Sequence, residues 1–276
     1  MLGRIAIDLT KDGNQTRRLE SGIRLAKGHN AELVGVYPRP EPTEYLRGSH
    51  VMPREVSTVV AEHLAQQREE MHALFHQKTT EAGVKASWRA PQGFAEEVLA
   101  LHARYCDLMV MSQLEQQTSA LRPSIAEAVI TSAGRPVLMI PFIGEQSPIG
   151  KRILVCWDQG RRSARALADA APLLSQAKEL VILTIDENRS ALEKHDIHDA
   201  DLEAYFSSKG YAKPRRVKQY SDHNGIGNAI LNAVTDQGCD MVVMGAYNHS
   251  RTQEWMLGGT SKTLLESMTV PVLFSH

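Results

Sequence analysis

Three blocks of the chain occur twice in the same order, and this repetition limits the possible fold more than any single motif does. Glu32-Leu33-Val34 recurs as Glu179-Leu180-Val181, Cys106-Asp107-Leu108-Met109-Val110-Met111 as Cys239-Asp240-Met241-Val242-Val243-Met244, and Arg135-Pro136-Val137-Leu138 as Val270-Pro271-Val272-Leu273. The start of the chain, Arg4-Ile5-Ala6-Ile7, has its counterpart in Arg152-Ile153-Leu154-Val155. A repeat of this period in 276 residues predicts two similar domains, each large enough to bury its own core. The numbering offset falls from 148 between Arg4 and Arg152 to 133 between Cys106 and Cys239, so the first half carries an extra segment between its second and third strands. That excess is the Pro38-Arg39-Pro40-Glu41-Pro42 loop and a long charged helix over about residues 55–81.

Within each repeat, short apolar strands alternate with helical patterns. In the first half, strands are predicted at Arg4–Ile7, Glu32–Tyr37, Val84–Arg89, Asp107–Met111 and Pro136–Ile140. Leu19, Gly22, Ile23 and Ala26 share one face of the first helix, and further helices are predicted over 94–105 and 123–132. Parallel neighbours need crossover connections, so the pattern implies an α/β class: two tandem doubly wound parallel sheets of Rossmann-like form, five strands each. The expected domains are 1–143 and 150–276, joined by a linker at 144–150.

Charge narrows the function classes. Thirty-one Lys and Arg against thirty-two Asp and Glu leave no global field to steer the chain to nucleic acid, so neither nucleic acid nor an anionic membrane is an expected partner. No apolar run approaches the length of a bilayer span, and the first residues pass straight into a strand without an export segment. Cys106, Cys156 and Cys239 form no CxxC pair, which suggests packed, reduced thiols in a cytoplasmic protein.

The stretch from Asp240 to His276 carries the chemistry. The strand Met241–Met244 leads into Gly245-Ala246-Tyr247-Asn248, then Gly258-Gly259-Thr260, and then a helix with Leu264, Leu265 and Met268 on one face. Glycines before a helix admit an anion to backbone N–H groups, and Thr260 or Ser261 can cap the helix. Taken alone, a glycine pair is more commonly a tight helix entry.

With these residues in view, the halves resemble the universal stress protein family, and the chain looks like a tandem member. The family's nucleotide motif is glycine, two residues, glycine, nine residues, glycine and a small residue; here it falls on Gly245, Asn248, Gly258 and Gly259. The resemblance implies that this motif holds the ribose and phosphates of ATP, AMP or ADP, with magnesium accompanying the nucleotide. It further implies that Asp158, with Cys156 before it, sits by the nucleotide and that Ile185 lines the adenine. Asn248 departs from the motif: asparagine tolerates positive φ, and its amide either donates to a phosphate oxygen or fills the γ-phosphate space. Retained binding is the expectation. In the first half Thr10 stands in place of Asp158 and Ser112 in place of Gly245, and the loop over 113–122 has no glycine, so no family-type ATP site is expected there.

The resemblance also implies that the closing strands Pro136–Ile140 and Pro271–Phe274 meet within one chain as an intrachain pseudo-dimer, and it leaves a homodimer of chains open. The expected function is adenine-nucleotide binding with little or slow hydrolysis; the alternatives are a ligand-free scaffold for protein partners and a nucleotide hydrolase. No catalytic residue is assigned, because no Ser-His-Asp set sits on a recognisable elbow. Asp158 could simply cap the helix near Arg161, and His249-Ser250-Arg251 reads as an exposed segment. His72 and His76 share a helix face without a third ligand, and His195 and His198 among Asp196, Asp199 and Asp201 read as a polar loop entering a helix, so no metal is assigned. Gly225-Ile226-Gly227 reads as a helix-entry loop rather than a dinucleotide fingerprint.

Overall fold

The computed structural model describes residues 1–39, 54–113, 124–143, 148–186, 194–221, 225–246 and 259–276. The chain divides into two compact units, Leu2–Arg135 and Pro136–His276, the latter with Met1.

The first unit contains β1 (Arg4–Asp8), α1 (Gln15–His29), β2 (Glu32–Val36), α2 (Arg54–Ala82), β3 (Ala86–Arg89), α3 (Ala95–Ala103), β4 (Leu108–Ser112) and α4 (Ile125–Ser132). Its strands lie in the order β3-β2-β1-β4, all parallel, with Ile5 opposite both Leu33 and Leu108. β4 is buried along its whole length and β1 over its last four residues, as expected for a parallel sheet covered on both faces. The alternation of strand and helix read from sequence is present here, with boundaries within about two residues of those expected.

The second unit contains β5 (Val137–Ile140), β6 (Arg152–Cys156), α5 (Arg161–Asp169), α6 (Ala171–Leu174), β7 (Glu179–Ile185), α7 (Asp199–Ser208), β8 (Arg215–Gln219), α8 (Gly225–Asp236), β9 (Met241–Gly245), α9 (Gly259–Ser267) and β10 (Val272–Ser275). Strand order is β5-β10-β9-β6-β7-β8. Only β5 runs antiparallel, with Leu138 opposite Leu273, so the two closing strands do meet within one chain. β5 closes the first repeat in sequence, yet it is packed in the second unit.

The Cys-Asp step shared by the repeats has a structural reason. Asp107, just before β4, accepts the backbone N–H groups of Gly3 at 2.7 Å and Arg4 at 3.0 Å. Asp240, just before β9, accepts those of Gly150, Lys151 and Arg152 at 2.8 to 3.1 Å. Each carboxylate therefore satisfies N–H groups at the entrance to the first strand of its repeat. The cysteines beside them are free; burial raises the thiol pKa of Cys106 and pushes that of Cys239 up to about 11. Among the described residues no helix is long and apolar enough to cross a membrane, and no cluster of three or more His, Cys, Asp or Glu could hold a metal ion.

Candidate functional site

A cavity of about 320 Å³ opens in the second unit at the C-terminal ends of β6, β7 and β9. This is where a parallel sheet with helices on both faces forms its ligand crevice, and the volume is in the range of small-molecule pockets. Six of the eight residues singled out in the sequence line it: Cys156, Asp158, Ile185, Gly245, Gly259 and Thr260. The other two, Asn248 and Gly258, lie outside the described residues, as does His249-Ser250-Arg251.

The cavity has two chemically distinct ends. Leu183 and Ile185 alternate along β7 and face Ile226 and Ile230, one turn apart on α8, with Met244 alongside. These five side chains make up the apolar part of the lining. The opposite end gathers Asp158, Arg162, Ser163 and the first turn of α9, Gly259 to Ser261, whose backbone N–H groups and positive helix end favour an anion.

Asp158 does not cap α5. The N-cap is Gly160, with no side-chain cap bond, and the Oδ1 of Asp158 instead accepts the Gly160 N–H at 2.9 Å. The residue two positions away from the carboxylate closes an Asx-type turn and takes the capping place itself. Ser163, 4 % exposed, donates to the Gly160 carbonyl at 2.9 Å and fixes the same turn from within the helix. The Cys156 thiol, at the cavity wall, has its pKa pushed up to about 12 by burial first and then by the nearby Asp158 charge. It is therefore a neutral thiol at physiological pH, unsuited to nucleophilic work.

Gly245 has a packing role that sequence reasoning missed. A Cβ built on it would lie 2.7 Å from the carbonyl carbon and 2.7 Å from the Cβ of Arg162, so β9 and the first turn of α5 approach this closely only because Gly245 has no side chain. At Gly259 a Cβ would meet nothing within 4 Å. Among the described residues, packing does not require a glycine at this first position of α9.

Arg162 was also not singled out. One of its guanidinium nitrogens lies 3.2 Å from Nε2 of His276, whose pKa is lowered by burial and by the Arg162 charge. A neutral imidazole accepting from the guanidinium fits this arrangement and holds a cation at the cavity edge. Ile226 and Ile230 carried a readable signal, an apolar pair at i, i+4 in the segment read as a helix-entry loop; Gly225 and Ile226 are in fact the first residues of α8. Arg162 and Ser163 carried none, since a charged residue and a serine early in a helix are ordinary.

The first half shows how the same location can be filled. Arg18, fully buried, extends from α1 to the segment after β1, where its guanidinium donates to the Asp8 carbonyl, to the Thr10 carbonyl at 2.6 Å and to Oδ2 of Asp12 at 2.6 Å. Thr10, at the position of Asp158, donates through its N–H and hydroxyl to Asp8 at 2.9 and 2.6 Å. By the repeat offset the counterpart of Arg18 is Ala166. A methyl group in one half is replaced by a satisfied buried cation in the other. Two of the histidines considered as ligands have other ring partners: the His72 ring packs edge-on against Trp88 at 4.9 Å, and Nε2 of His198 lies 3.0 Å from Oδ1 of Asp196.

The model of the universal stress protein family matches residues 150–276. Among solved structures, a universal stress protein from Archaeoglobus fulgidus DSM 4304 superposes with a TM-score of 0.72 at 19 % identity, covering 98 % of this chain and 97 % of its own. A functionally unknown protein from Pseudomonas aeruginosa PAO1 gives a TM-score of 0.61 at 15 % identity, covering 99 % and 92 %. No curated protein matches in sequence. At these identities the structures speak for the fold of the whole chain and the family model for its second half: residues 150–276 match the universal stress protein family, and the whole chain shares the tandem α/β fold of these structures.

Proposed function

We propose that the protein binds an adenine nucleotide, ATP or else AMP or ADP, in the cavity of its second unit and acts as a cytoplasmic stress-response protein whose ligand state changes its surface or assembly. The observation that carries this reading is the convergence of Cys156, Asp158, Ile185, Gly245, Gly259 and Thr260 on one cavity with an apolar lining at one end and the start of α9 at the other. The apolar end suits the adenine ring, Asp158 the ribose hydroxyls, and the N–H groups of α9 together with Arg162 the phosphates. Magnesium, where present, would be carried on the phosphates: Asp158, whose Oδ1 already accepts the Gly160 N–H, is a single carboxylate and not a cluster. Hydrolysis is slow or absent in this reading, because a hydrolase needs a base aimed at the attacking water and, among the described residues, this end of the cavity offers only the carboxylate of Asp158, turned toward α5.

The antiparallel pairing of β5 with β10 supports the intrachain pseudo-dimer as the form in which the two repeats work, with a homodimer of chains as a further level of assembly. The balance of charge argues against nucleic acid as a partner. Protein partners meeting the ligand-dependent surface complete the proposal.

A second reading, a ligand-free tandem scaffold, is favoured by one observation: the close approach of Arg162 accounts for Gly245 without any ligand. The two readings separate by experiment. Denaturing the purified protein and identifying released small molecules, with calorimetric titration of ATP into stripped protein, is expected to reveal an adenine nucleotide or its binding. Neither release nor binding would leave the scaffold. Gain of ATP binding on Asn248→Gly alone would point the same way.

A further inference from the structure

A cavity of about 210 Å³ lies in the first unit, between α2 and the segments that follow β2 and β3. Ala61, Leu64, Ala65 and Arg68, spaced to share one face of α2, form one wall, and Tyr37, Arg39 and Gln92 form the other. Among the described residues its lining holds two arginines and no carboxylate, and it shares no residue with the nucleotide cavity.

The two arginines differ in what they have left to offer. Arg68 is already held by Oε1 of Glu69, through Nε at 3.1 Å and one Nη at 2.8 Å, and the next acid, Glu70, is taken by Lys11 at 3.0 Å. Arg39 donates through Nε to the Ala90 carbonyl at 2.6 Å, which anchors its guanidinium beside the end of β3, and no described carboxylate pairs with its two Nη groups. The sign of the cavity therefore rests on Arg39.

The repeat shows how else this position can be used. The Arg39 N–H donates to the Pro91 carbonyl at 2.9 Å and the Asp186 N–H to the Gln219 carbonyl at 3.1 Å, so the two residues stand at the same point after the second strand of each repeat. Asp186 turns back on Ser221 and accepts both its N–H, at 3.0 Å, and its hydroxyl. One half places a satisfied anion there; the other places a cation with two N–H-bearing nitrogens turned to a cavity that also has apolar area.

We propose that this cavity binds a small organic carboxylate with an apolar body. The Nη groups of Arg39 supply the parallel N–H donors that a carboxylate takes up in pairs. Ala61, Leu64 and Ala65 cover the carbon skeleton, and the Tyr37 ring, stacked on Trp88 at 5.8 Å, makes a fixed opposite wall. One guanidinium without a carboxylate partner suits one negative charge, whereas an ammonium meets a like charge there. The inference does not depend on the nucleotide reading.

The test titrates full-length protein near neutral pH with three probes of one skeleton, phenylpropanoate, phenylpropanamide and phenylpropylamine, followed by methyl-resolved NMR. The acid is expected to shift the methyl resonances of Ala61, Leu64 and Ala65, with the amide and the amine weaker by roughly tenfold or more. Arg39→Gln should lower the affinity for the acid by roughly tenfold, to that of the amide, and Ala65→Phe, which fills the cavity from an exposed position of α2, should lower it by a similar factor while circular dichroism is unchanged. If one variant does not fold, the other decides. No binding of the acid, equal binding of the amide, shifts confined to the second unit, or wild-type affinity in either folded variant overturns the proposal.

Discussion

Gly245 and Gly259 stand at opposite ends of one glycine-rich motif, and replacing each by alanine should give opposite results. At Gly245 the new methyl would be placed 2.7 Å from two atoms of Arg162 and 2.9 Å from its carbonyl oxygen. Two of these three atoms belong to the backbone of the first turn of α5, so no rotamer change relieves the clash; either β9 or α5 must move. Overpacking of this kind costs about 1–3 kcal/mol. At Gly259 no atom of the described residues lies within 4 Å of the added methyl, and alanine is the better helix former by up to about 1 kcal/mol, less in a first turn. Gly259→Ala should therefore be neutral or slightly stabilising in the absence of ligand. The assay is urea unfolding of both variants with and without saturating ATP, alongside calorimetric affinity. If the nucleotide reading holds, Gly259→Ala lowers ATP affinity while its ligand-free stability is kept, and the stabilisation by ATP shrinks accordingly. A Gly245→Ala protein as stable as wild type would refute the reasoning from close approach. A Gly259→Ala protein with unchanged ATP affinity would remove the start of α9 from the ligand site.

Three further outcomes are expected. Arg18→Ala leaves the buried carboxylate of Asp8 and the half-buried one of Asp12 without their cation and should destabilise the first unit by about 3 kcal/mol in denaturant unfolding, without creating ATP binding there, since Ser112 still stands in the position of Gly245. His29, His102 and His276 all have pKa values lowered from 6.5, burial being the leading cause. The unfolded chain therefore takes up more protons than the folded one as pH falls through about 6.5, so stability is full above that pH and declines toward pH 5, earlier than carboxylate effects set in. Flat stability over this window, or a decline unaltered when all three are changed to Gln, would contradict this assignment. Cys156, with its thiol pKa near 12, should react with iodoacetamide at pH 8 far more slowly than an exposed cysteine, as read by peptide mass analysis of native against unfolded protein.

Much of the architecture was legible because it rests on periodicity. The repeated blocks fall on β2 and β7, β4 and β9, and β5 and β10, all buried strands whose apolar runs are forced by helices on both faces. The residues that complete the cavity were less legible for a physical reason: they gather from α5, α8 and α9, far apart in sequence. Ile226 and Ile230 left a trace in their spacing; Arg162 left none, because its place at the cavity edge depends on a partner, His276, more than a hundred residues away. Asp158 was found, but its bond to the Gly160 N–H depends on the turn that follows β6, which composition does not specify. The replacement of a site by Arg18 in the first half was likewise invisible, since an arginine at helical spacing reads as surface until its three acceptors are seen to converge on it.

The pairing of β5 with β10 has a consequence for how the chain is made. β5 is buried at all four positions, and one of its edges is completed only by the last strand of the sequence. During synthesis, residues 2–135 emerge with β1 to β4 and their helices in hand, while Val137-Leu138-Met139-Ile140 must wait for the rest of the chain. Four apolar residues held at an open edge are a template for pairing with another nascent chain. A product truncated near residue 143 should therefore aggregate more readily than either one ending at Arg135 or the full chain, so for this protein the sensible place to cut lies before the strand that closes the first repeat.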